Sequence, residues 1–198
     1  MITLNSKNIN QESIDRIKEG SVFIVLTDTI YGLSCVFNNK ESLKKIKKIK
    51  KIDSNRPFVV LVSDFKMLKK YFLVSNEQEL YIKNEHKKND RPLSFILRFK
   101  KSSNINPCFD DKDGIAVRLP KVNFLTKMIN EVGVPIVSTS CNITGYSFLN
   151  NRKDIELFFK NKKDFPDFFI KNNNQRPRRR ASRIIDIRDV NNVKIIRD

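Results

Sequence analysis

In the stretch PIVSTSCNITG (135–145), an apolar strand runs directly into a cluster of hydroxyl and amide side chains. A second stretch, TDTIYGL (27–33), follows the apolar run Val22–Leu26 in the same way. In open α/β sheets, ligands lie at the carboxyl ends of strands, so both stretches predict binding positions there. Polar loops of this kind also commonly satisfy their own backbone, and turn chemistry alone is the alternative explanation.

The remainder of the chain alternates short β-branched runs with amphipathic stretches, which predicts an α/β fold. We expect one domain spanning residues 1–198. Seven strands are predicted, at Val22–Thr27, Phe58–Val62, Ser94–Phe99, Ile115–Leu119, Pro135–Ser138, Ile184–Ile187 and Val193–Ile196. Six helices are predicted, at 10–20, 41–51, 64–72, 76–87, 122–132 and 152–160. Residues 100–113 are expected to form a loop, and NNNQRPRRR (172–180) a flexible basic linker.

Composition limits the classes of protein to consider. The 198 residues carry 39 Lys and Arg against 22 Asp and Glu, a net charge of +17, which predicts an anionic partner. General enrichment of the chain in lysine is the alternative. The apolar runs are too short to cross a bilayer, so we expect a cytoplasmic protein with no membrane partner. Without a CxxC pair, and with His86 in a polar stretch expected to face solvent, no metal site from protein side chains is predicted.

Two further motifs place positive charge near polar turns. In KKIDSNRP (50–57), Lys50 and Arg56 bracket a turn and are suited to clamp a polyphosphate, although a solvated helix face also explains the lysines. In GIAVRLP (114–120), Arg118 interrupts an apolar strand, which is costly unless the guanidinium meets an anion. Exposure at a sheet edge is the alternative for Arg118. Strand alternation puts Ala116 on the same face as Arg118.

Taken together, these motifs resemble the YrdC-like family of threonylcarbamoyl-AMP synthases. TDTIYGL resembles the family's TDTVYGL, PIVSTSCNITG resembles PLVSTSANLSG, and GIAVRLP resembles an arginine-bearing strand of the family. The C-terminal ASRIIDI…KIIRD resembles STIVDL…ILR, so the matches run from about Gly20 to Arg197. The resemblance implies a YrdC-like twisted mixed β-sheet with surrounding helices and a large concave cavity.

The resemblance also implies an activity. The family joins L-threonine, bicarbonate and ATP into L-threonylcarbamoyladenylate and releases pyrophosphate, for threonylcarbamoylation of adenosine 37 in tRNAs reading ANN codons. ATP would be a substrate, accompanied by Mg²⁺, and no redox cofactor would be needed. The implied partners are tRNA or the tRNA threonylcarbamoyl transferase complex.

Site residues follow from the matching positions. The residues implied to bind threonine are Thr27, Tyr31, Arg118, Thr139 and Ser182. Those implied to bind the nucleotide are Lys50, Ser54, Ser140, Asn142 and Arg197. The catalytic positive charges would be Lys50 and Arg56, which neutralise the phosphates rather than act as nucleophiles.

The chain also departs from the family pattern. The family has Lys-x-Arg-Pro around Lys50, whereas this chain has Ile52 and Asp53 at the arginine and proline places. Ile52 cannot bind phosphate, so either Arg56 substitutes for the missing arginine or nucleotide turnover is impaired. The family's Trp-Pro-Gly-Pro-x-Thr survives only as RPLS (91–94). Two alternatives therefore remain: a non-catalytic RNA-binding relative of the same fold, and a carbamoyl-adenylate enzyme with another acceptor.

Overall fold

The computed structural model describes residues 2–6, 9–52, 58–100, 113–143, 145–172, 177 and 180–198. Within these ranges lie six α-helices, each coinciding with a predicted one apart from small shifts at the ends. They are α1 (Gln11–Lys18), α2 (Lys40–Lys50), α3 (Phe65–Tyr71), α4 (Asn76–Lys88), α5 (Asn123–Val132) and α6 (Arg152–Phe159). N-capping side chains determine where several of these helices begin. Asn10, Asn39 and Asp64 each accept a hydrogen bond from a backbone amide three residues ahead, which the first turn of a helix leaves unpaired.

Eleven strands in the described part of the chain form a mixed β-sheet. They are β1 (Ile2–Asn5), β2 (Phe23–Leu26), β3 (Tyr31–Val36), β4 (Val59–Leu61), β5 (Phe72–Leu73), β6 (Leu93–Phe99), β7 (Ile115–Arg118), β8 (Ile136–Ser140), β9 (Phe168–Lys171), β10 (Arg183–Asp186) and β11 (Lys194–Arg197). Their order is β1-β9-β2-β3-β8-β4-β7-β6-β10-β11, and β5 pairs with β6 outside this path. The α/β fold class predicted from the sequence is confirmed.

The seven predicted strands are present, and four others were missed. These four are β1, β3, β5 and β9. β3 has the sequence YGLSCV, in which Gly32 and Ser34 weaken the apolar pattern on which strand prediction depends. β3 pairs antiparallel with the preceding strand β2 on one side and with β8, which is distant in sequence, on the other, and both pairings stabilise it.

The sheet order brings the predicted binding stretches together. β4 lies between β7 and β8, with which it pairs parallel and antiparallel respectively. β10 pairs parallel with β6, and β11 pairs antiparallel with β10, so the C-terminal strands extend the same sheet. Every residue of β2 is buried, as expected for a strand with both faces covered.

Some predictions fall on residues that the structure does not describe. The expected loop at 100–113 lies mostly outside the described residues, as does most of the expected basic linker at 172–180. No helix in the described ranges is long and apolar enough to span a membrane.

Candidate functional site

A cavity of about 290 Å³ lies where the end of β2 meets β3, β4, β7, β8 and β10. Its walls combine hydroxyl groups, two guanidinium groups and apolar side chains. The lining residues are Thr27, Thr29, Ile30, Gly32, Phe58, Val59, Ala116, Arg118, Ser138, Thr139, Ser140, Phe148, Ala181, Ser182, Ile184 and Arg197. Six of them are predicted site residues, from four motifs far apart in the chain: Thr27, Arg118, Thr139, Ser140, Ser182 and Arg197.

Arg118 ends β7 and is buried, with only 4% of its surface exposed. Its Nη1 donates to Thr29 Oγ1 at 3.2 Å, and its Nε lies 3.4 Å from Asp28 Oδ1. Neither Nε nor Asp28 Oδ1 has a hydrogen-bond partner among the described residues. The guanidinium is therefore held beside a carboxylate while it retains donors for a ligand in the cavity. The alternative of edge exposure for Arg118 is wrong.

The turn between β2 and β3 is built by hydroxyl groups. Thr27 Oγ1 lies 2.8 Å from Thr29 Oγ1, donates to the carbonyl of Ile30 at 2.9 Å and accepts from the Thr29 amide at 3.2 Å. This is the local turn chemistry that was the alternative to a binding role for Thr27. The same turn presents Thr27 and Thr29 to the cavity, so the two explanations are compatible.

Lys50 is buried, with 3% of its surface exposed, although it is the last residue of a lysine-rich helix. Its Nζ donates to the Ser140 carbonyl at 2.7 Å, the Asn142 carbonyl at 2.9 Å and Asn142 Oδ1 at 2.6 Å. Ser140 Oγ also donates to Asn142 Oδ1 at 2.7 Å. The solvated helix face offered as the alternative for Lys50 is therefore wrong, because the ammonium group instead ties α2 to the loop after β8.

Burial lowers the pKa of Lys50 to about 8, since removal from water disfavours the charged form. The neighbouring Cys141 thiol is also buried, and burial raises its pKa to about 12. Cys141 is thus a neutral thiol near neutral pH rather than a nucleophile. Hydrogen bonds to three oxygens hold the Lys50 side chain against the loop in the form that carries a positive charge.

The local sequence after α2 places Lys50 at a sharp helix end. Lys51 adopts a left-handed conformation with φ of 53°, and the Ile52 amide donates to the Lys47 carbonyl at 3.0 Å. This is the hydrogen-bond pattern of a Schellman helix end, here without the usual glycine. The chain leaves the helix at once, so Lys50 lies at the helix terminus facing the loop after β8.

The C-terminal strands supply the remaining polar wall. Ser182 Oγ lies 2.8 Å from Ser94 Oγ on β6. Arg197 donates to the Ser182 carbonyl through Nε at 3.1 Å and through Nη2 at 2.8 Å. Burial lowers the pKa of Arg197, and the positive charges of Arg118 and Arg91 lower it further. Arg118 and Arg91 thus both lie close enough to repel Arg197, an arrangement that favours an anionic ligand.

Of the predicted site residues that the structure describes, three do not line this cavity. The ring of Tyr31 packs against Phe169 with centroids 5.6 Å apart, because Gly32, not Tyr31, faces the cavity along β3. Asn142 and Lys50 lie behind Ser140, to which both are hydrogen-bonded. Ser54 and Arg56 lie outside the described residues, so the structure does not place them.

Sequence reasoning missed several residues that shape the site. Thr29 and Asp28 belong to the first motif, but only the structure shows that they contact Arg118. Phe148 lines the cavity from a segment without secondary structure, and no pattern in the sequence indicated it. His86 is half-buried, with Nε2 3.1 Å from the Leu119 carbonyl, so the expectation that it faces solvent is wrong.

The described residues contain no cluster of three His, Cys, Asp or Glu side chains that could hold a metal ion. A larger cavity of about 670 Å³ lies elsewhere, between β5, β6 and the segment after β10. It contains none of the predicted site residues, whereas four motifs converge on the smaller cavity, which is therefore the candidate site.

Sequence comparison identifies similar proteins. The family model named for Sua5, YciO and YrdC, described as "Telomere recombination", matches residues 15–198. The chain is 34% identical over 130 residues to a putative threonylcarbamoyl-AMP synthase of Methanocaldococcus jannaschii, covering 65% of this chain and 58% of that protein. It is 25% identical over 150 residues to the threonylcarbamoyl-AMP synthase of Aliivibrio fischeri, covering 76% and 80%. It is also 26% identical to the uncharacterized protein YciO of Escherichia coli, covering 71% of this chain and 66% of that protein.

Solved structures show the same fold. The E. coli YciO crystal structure has a TM-score of 0.81 at 20% identity, covering all of this chain and 94% of that one. P. abyssi Sua5 complexed with L-threonine has a TM-score of 0.72 at 22% identity, covering 93% and 53%. With a family model matched over nearly its whole length and a twisted mixed sheet shared with these structures, the chain belongs to the Sua5/YciO/YrdC family.

Proposed function

We propose that the protein synthesises L-threonylcarbamoyladenylate from L-threonine, bicarbonate and ATP, with release of pyrophosphate, to supply threonylcarbamoylation of adenosine 37 in tRNAs reading ANN codons. The observation that carries this proposal is the buried guanidinium of Arg118, which faces a cavity lined by hydroxyl groups. The loop that contains Ser140 and Asn142 adjoins the same cavity. Support also comes from relatives named threonylcarbamoyl-AMP synthase and from the Sua5 structure with threonine.

The threonine carboxylate would bind Arg118. A guanidinium presents parallel donors that match the two oxygens of a carboxylate, and burial strengthens this pair. Thr139 and Thr27 line the same cavity, where their hydroxyls would bind the remaining polar groups of threonine. Ser182 lies on the C-terminal side of the same cavity and would complete the pocket.

The nucleotide would bind at the loop after β8. Ser140 faces the cavity, and Lys50 lies directly behind it with a positive charge close to the loop. For Lys50 to bind a phosphate oxygen directly, the ligand must displace one of its three present acceptors, because an ammonium group has three donors. Arg197 lines the same cavity from β11 and would bind the nucleotide there.

The reaction requires that the protein position the substrates and neutralise their negative charges. It does not require a nucleophile from the protein. The threonine amine attacks the carbon of bicarbonate, water leaves, and a carbamate forms. A carbamate oxygen then attacks the α-phosphorus of ATP, the bond from that phosphorus to the bridging oxygen breaks, and pyrophosphate leaves. Two anions held in reacting positions repel each other. The positive charges of Arg118, Lys50 and Arg197 would offset this repulsion.

Magnesium would arrive with ATP rather than in a protein site. Asp28 lies beside the cavity against Arg118, and Asp198, which follows the cavity-lining Arg197, is paired with Arg91 and Arg183. Because these carboxylates already face guanidinium groups, the described residues do not fit a protein-held Mg²⁺. Mg²⁺ commonly binds through substrate phosphates and keeps several waters.

The test is pyrophosphate release by the purified protein with ATP, bicarbonate and threonine. We expect release to require all three substrates, and mass spectrometry to detect threonylcarbamoyladenylate. Release with another amine in place of threonine would identify a carbamoyl-adenylate enzyme with a different acceptor. No release with any amine, combined with salt-sensitive binding of tRNA, would refute the proposal and support the RNA-binding relative.

A further inference from the structure

Three charged side chains join the strands that form the C-terminal wall of the cavity. Asp198 Oδ1 accepts hydrogen bonds from Arg91 Nη1 at 2.6 Å and from Arg183 Nε at 2.8 Å. Arg91 precedes β6, Arg183 begins β10 and Asp198 follows β11. We call these three residues the clamp, because one carboxylate oxygen ties the starts of β6 and β10 to the end of β11.

The clamp lies directly beside two cavity residues in the sequence. Ser182 precedes Arg183, Arg197 precedes Asp198, and both Ser182 and Arg197 line the cavity. The clamp therefore fixes the backbone next to each of these two cavity residues. None of its three members was predicted from the sequence as a site residue, since they lie far apart in the chain.

The two cavity residues differ in how firmly the rest of the fold holds them. Ser182 is buried, and its Oγ lies 2.8 Å from Ser94 Oγ on β6. Arg197 lies on β11, whose four residues are all exposed and which is the last strand in the sheet order, beside β10. Its guanidinium donates to the Ser182 carbonyl, but its backbone depends on pairing with β10 and on the clamp. Arg197 is therefore the cavity residue that depends most on the clamp.

Charge makes the same point about Arg197. Burial lowers the pKa of Arg197, and the positive charges of Arg118 and Arg91 lower it further. Asp198 is paired with Arg91 and offsets part of this repulsion. The hydrogen bond from Arg183 is the main reason that the pKa of Asp198 lies below its usual value, so the carboxylate is charged at neutral pH.

We propose that Asp198 is a positioning residue, which holds Arg197 at the cavity wall through its bonds to Arg91 and Arg183. The inference rests on the proposed function, in which Arg197 binds the nucleotide. Without the clamp, β11 would leave β10 more often, and fewer molecules would present Arg197 to the cavity. The apparent affinity for ATP falls in proportion to that fraction.

Two measurements on the full chain test the proposal. The first is hydrogen–deuterium exchange of the β11 amides without ligand, and the second is pyrophosphate release at varied ATP or varied threonine. Asp198→Asn should speed exchange in β11 and raise the ATP KM, each about two- to fivefold, the range that exposed ion pairs contribute. The threonine KM and kcat should stay unchanged. Adding Arg183→Leu should change neither quantity further, because both substitutions remove the same contact.

Glu131→Gln is the matched control. Glu131 is exposed on α5 and has no ion pair among the described residues, so this variant removes the same charge without touching the clamp. Equal effects in Glu131→Gln and Asp198→Asn would mean that ATP responds only to net charge. Equal increases in the two KM values, with a lower melting temperature, would mean that Asp198 serves stability alone. A further loss in the double variant would mean that Arg183 and Asp198 act independently. Each of these results would overturn the proposal.

The exchange measurement separates this inference from the proposed function, because it needs no substrate. Faster exchange in β11 of Asp198→Asn, in a protein that releases no pyrophosphate, would refute the synthase activity and leave the clamp as the device that holds Arg197. Pyrophosphate release with an ATP KM that Asp198→Asn leaves unchanged would keep the activity and refute the positioning role.

Discussion

Replacing Arg118 with alanine should raise the threonine requirement far more than the ATP requirement. The guanidinium is proposed to make parallel hydrogen bonds to the threonine carboxylate from a wall of the cavity. Loss of a hydrogen bond to a charged group costs about 1.5–3 kcal/mol, which corresponds to about a ten- to hundredfold higher threonine KM. ATP is proposed to bind at Ser140 and beyond, so its KM should change much less.

The same substitution should also destabilise the fold. Asp28 and Arg118 are both buried, with side-chain exposures of 4% and 5%, and Arg118→Ala leaves the Asp28 carboxylate without its neighbouring positive charge. Removing one partner of a buried pair costs about 3–5 kcal/mol of the free energy of unfolding. Arg118→Ala combined with Asp28→Asn should recover part of that loss, because the amide carries no charge to bury.

Two assays separate the two effects. Urea denaturation gives the free energy of unfolding, and pyrophosphate release at varied threonine or varied ATP gives the two KM values. Arg118→Lys keeps the charge without the fork, so it should retain most of the stability while the threonine KM remains high. Equal increases in the two KM values, measured on folded protein, would refute the assignment of Arg118 to the carboxylate.

Other variants test the remaining parts of the site. The rate of pyrophosphate release should fall as pH rises through about 8, because Lys50 loses its proton there. The Lys50→Ala variant should be slow at every pH and should lack this decline at alkaline pH. Gly32→Ala should impair threonine binding, because its Cβ would collide with Ser138 Oγ at the cavity wall, and adding Ser138→Ala should restore binding. If Arg56 replaces the arginine lost at Ile52, Arg56→Ala should strongly slow pyrophosphate release. Adding Ile52→Arg to that variant should then restore part of the rate. A double variant as slow as Arg56→Ala would contradict the replacement.

The helices were predictable because their signals are local. The apolar stripe of α2 and the capping side chain of Asn39 lie within a few residues of one another, and no distant contact is needed to recognise them. β3 was not predictable in this way. Its glycine and serine give a weak strand pattern, and its pairing with β2 and β8 supplies the hydrogen bonds that make it a strand.

The fold class, the motifs at the ends of β2 and β8, and the unusual charge of Arg118 within an apolar strand could all be recognised from the order of the amino acids. The burial of Lys50 against Ser140, the packing of Tyr31 away from the cavity and the pairing of Asp198 with two arginines became visible only in the folded chain. Helix caps and apolar periodicity act over one or two turns, whereas the contacts of Lys50 with Ser140 and of Arg91 with Asp198 join residues 90 and 107 positions apart. Strand pairing, which brings such residues together, depends on the whole sheet.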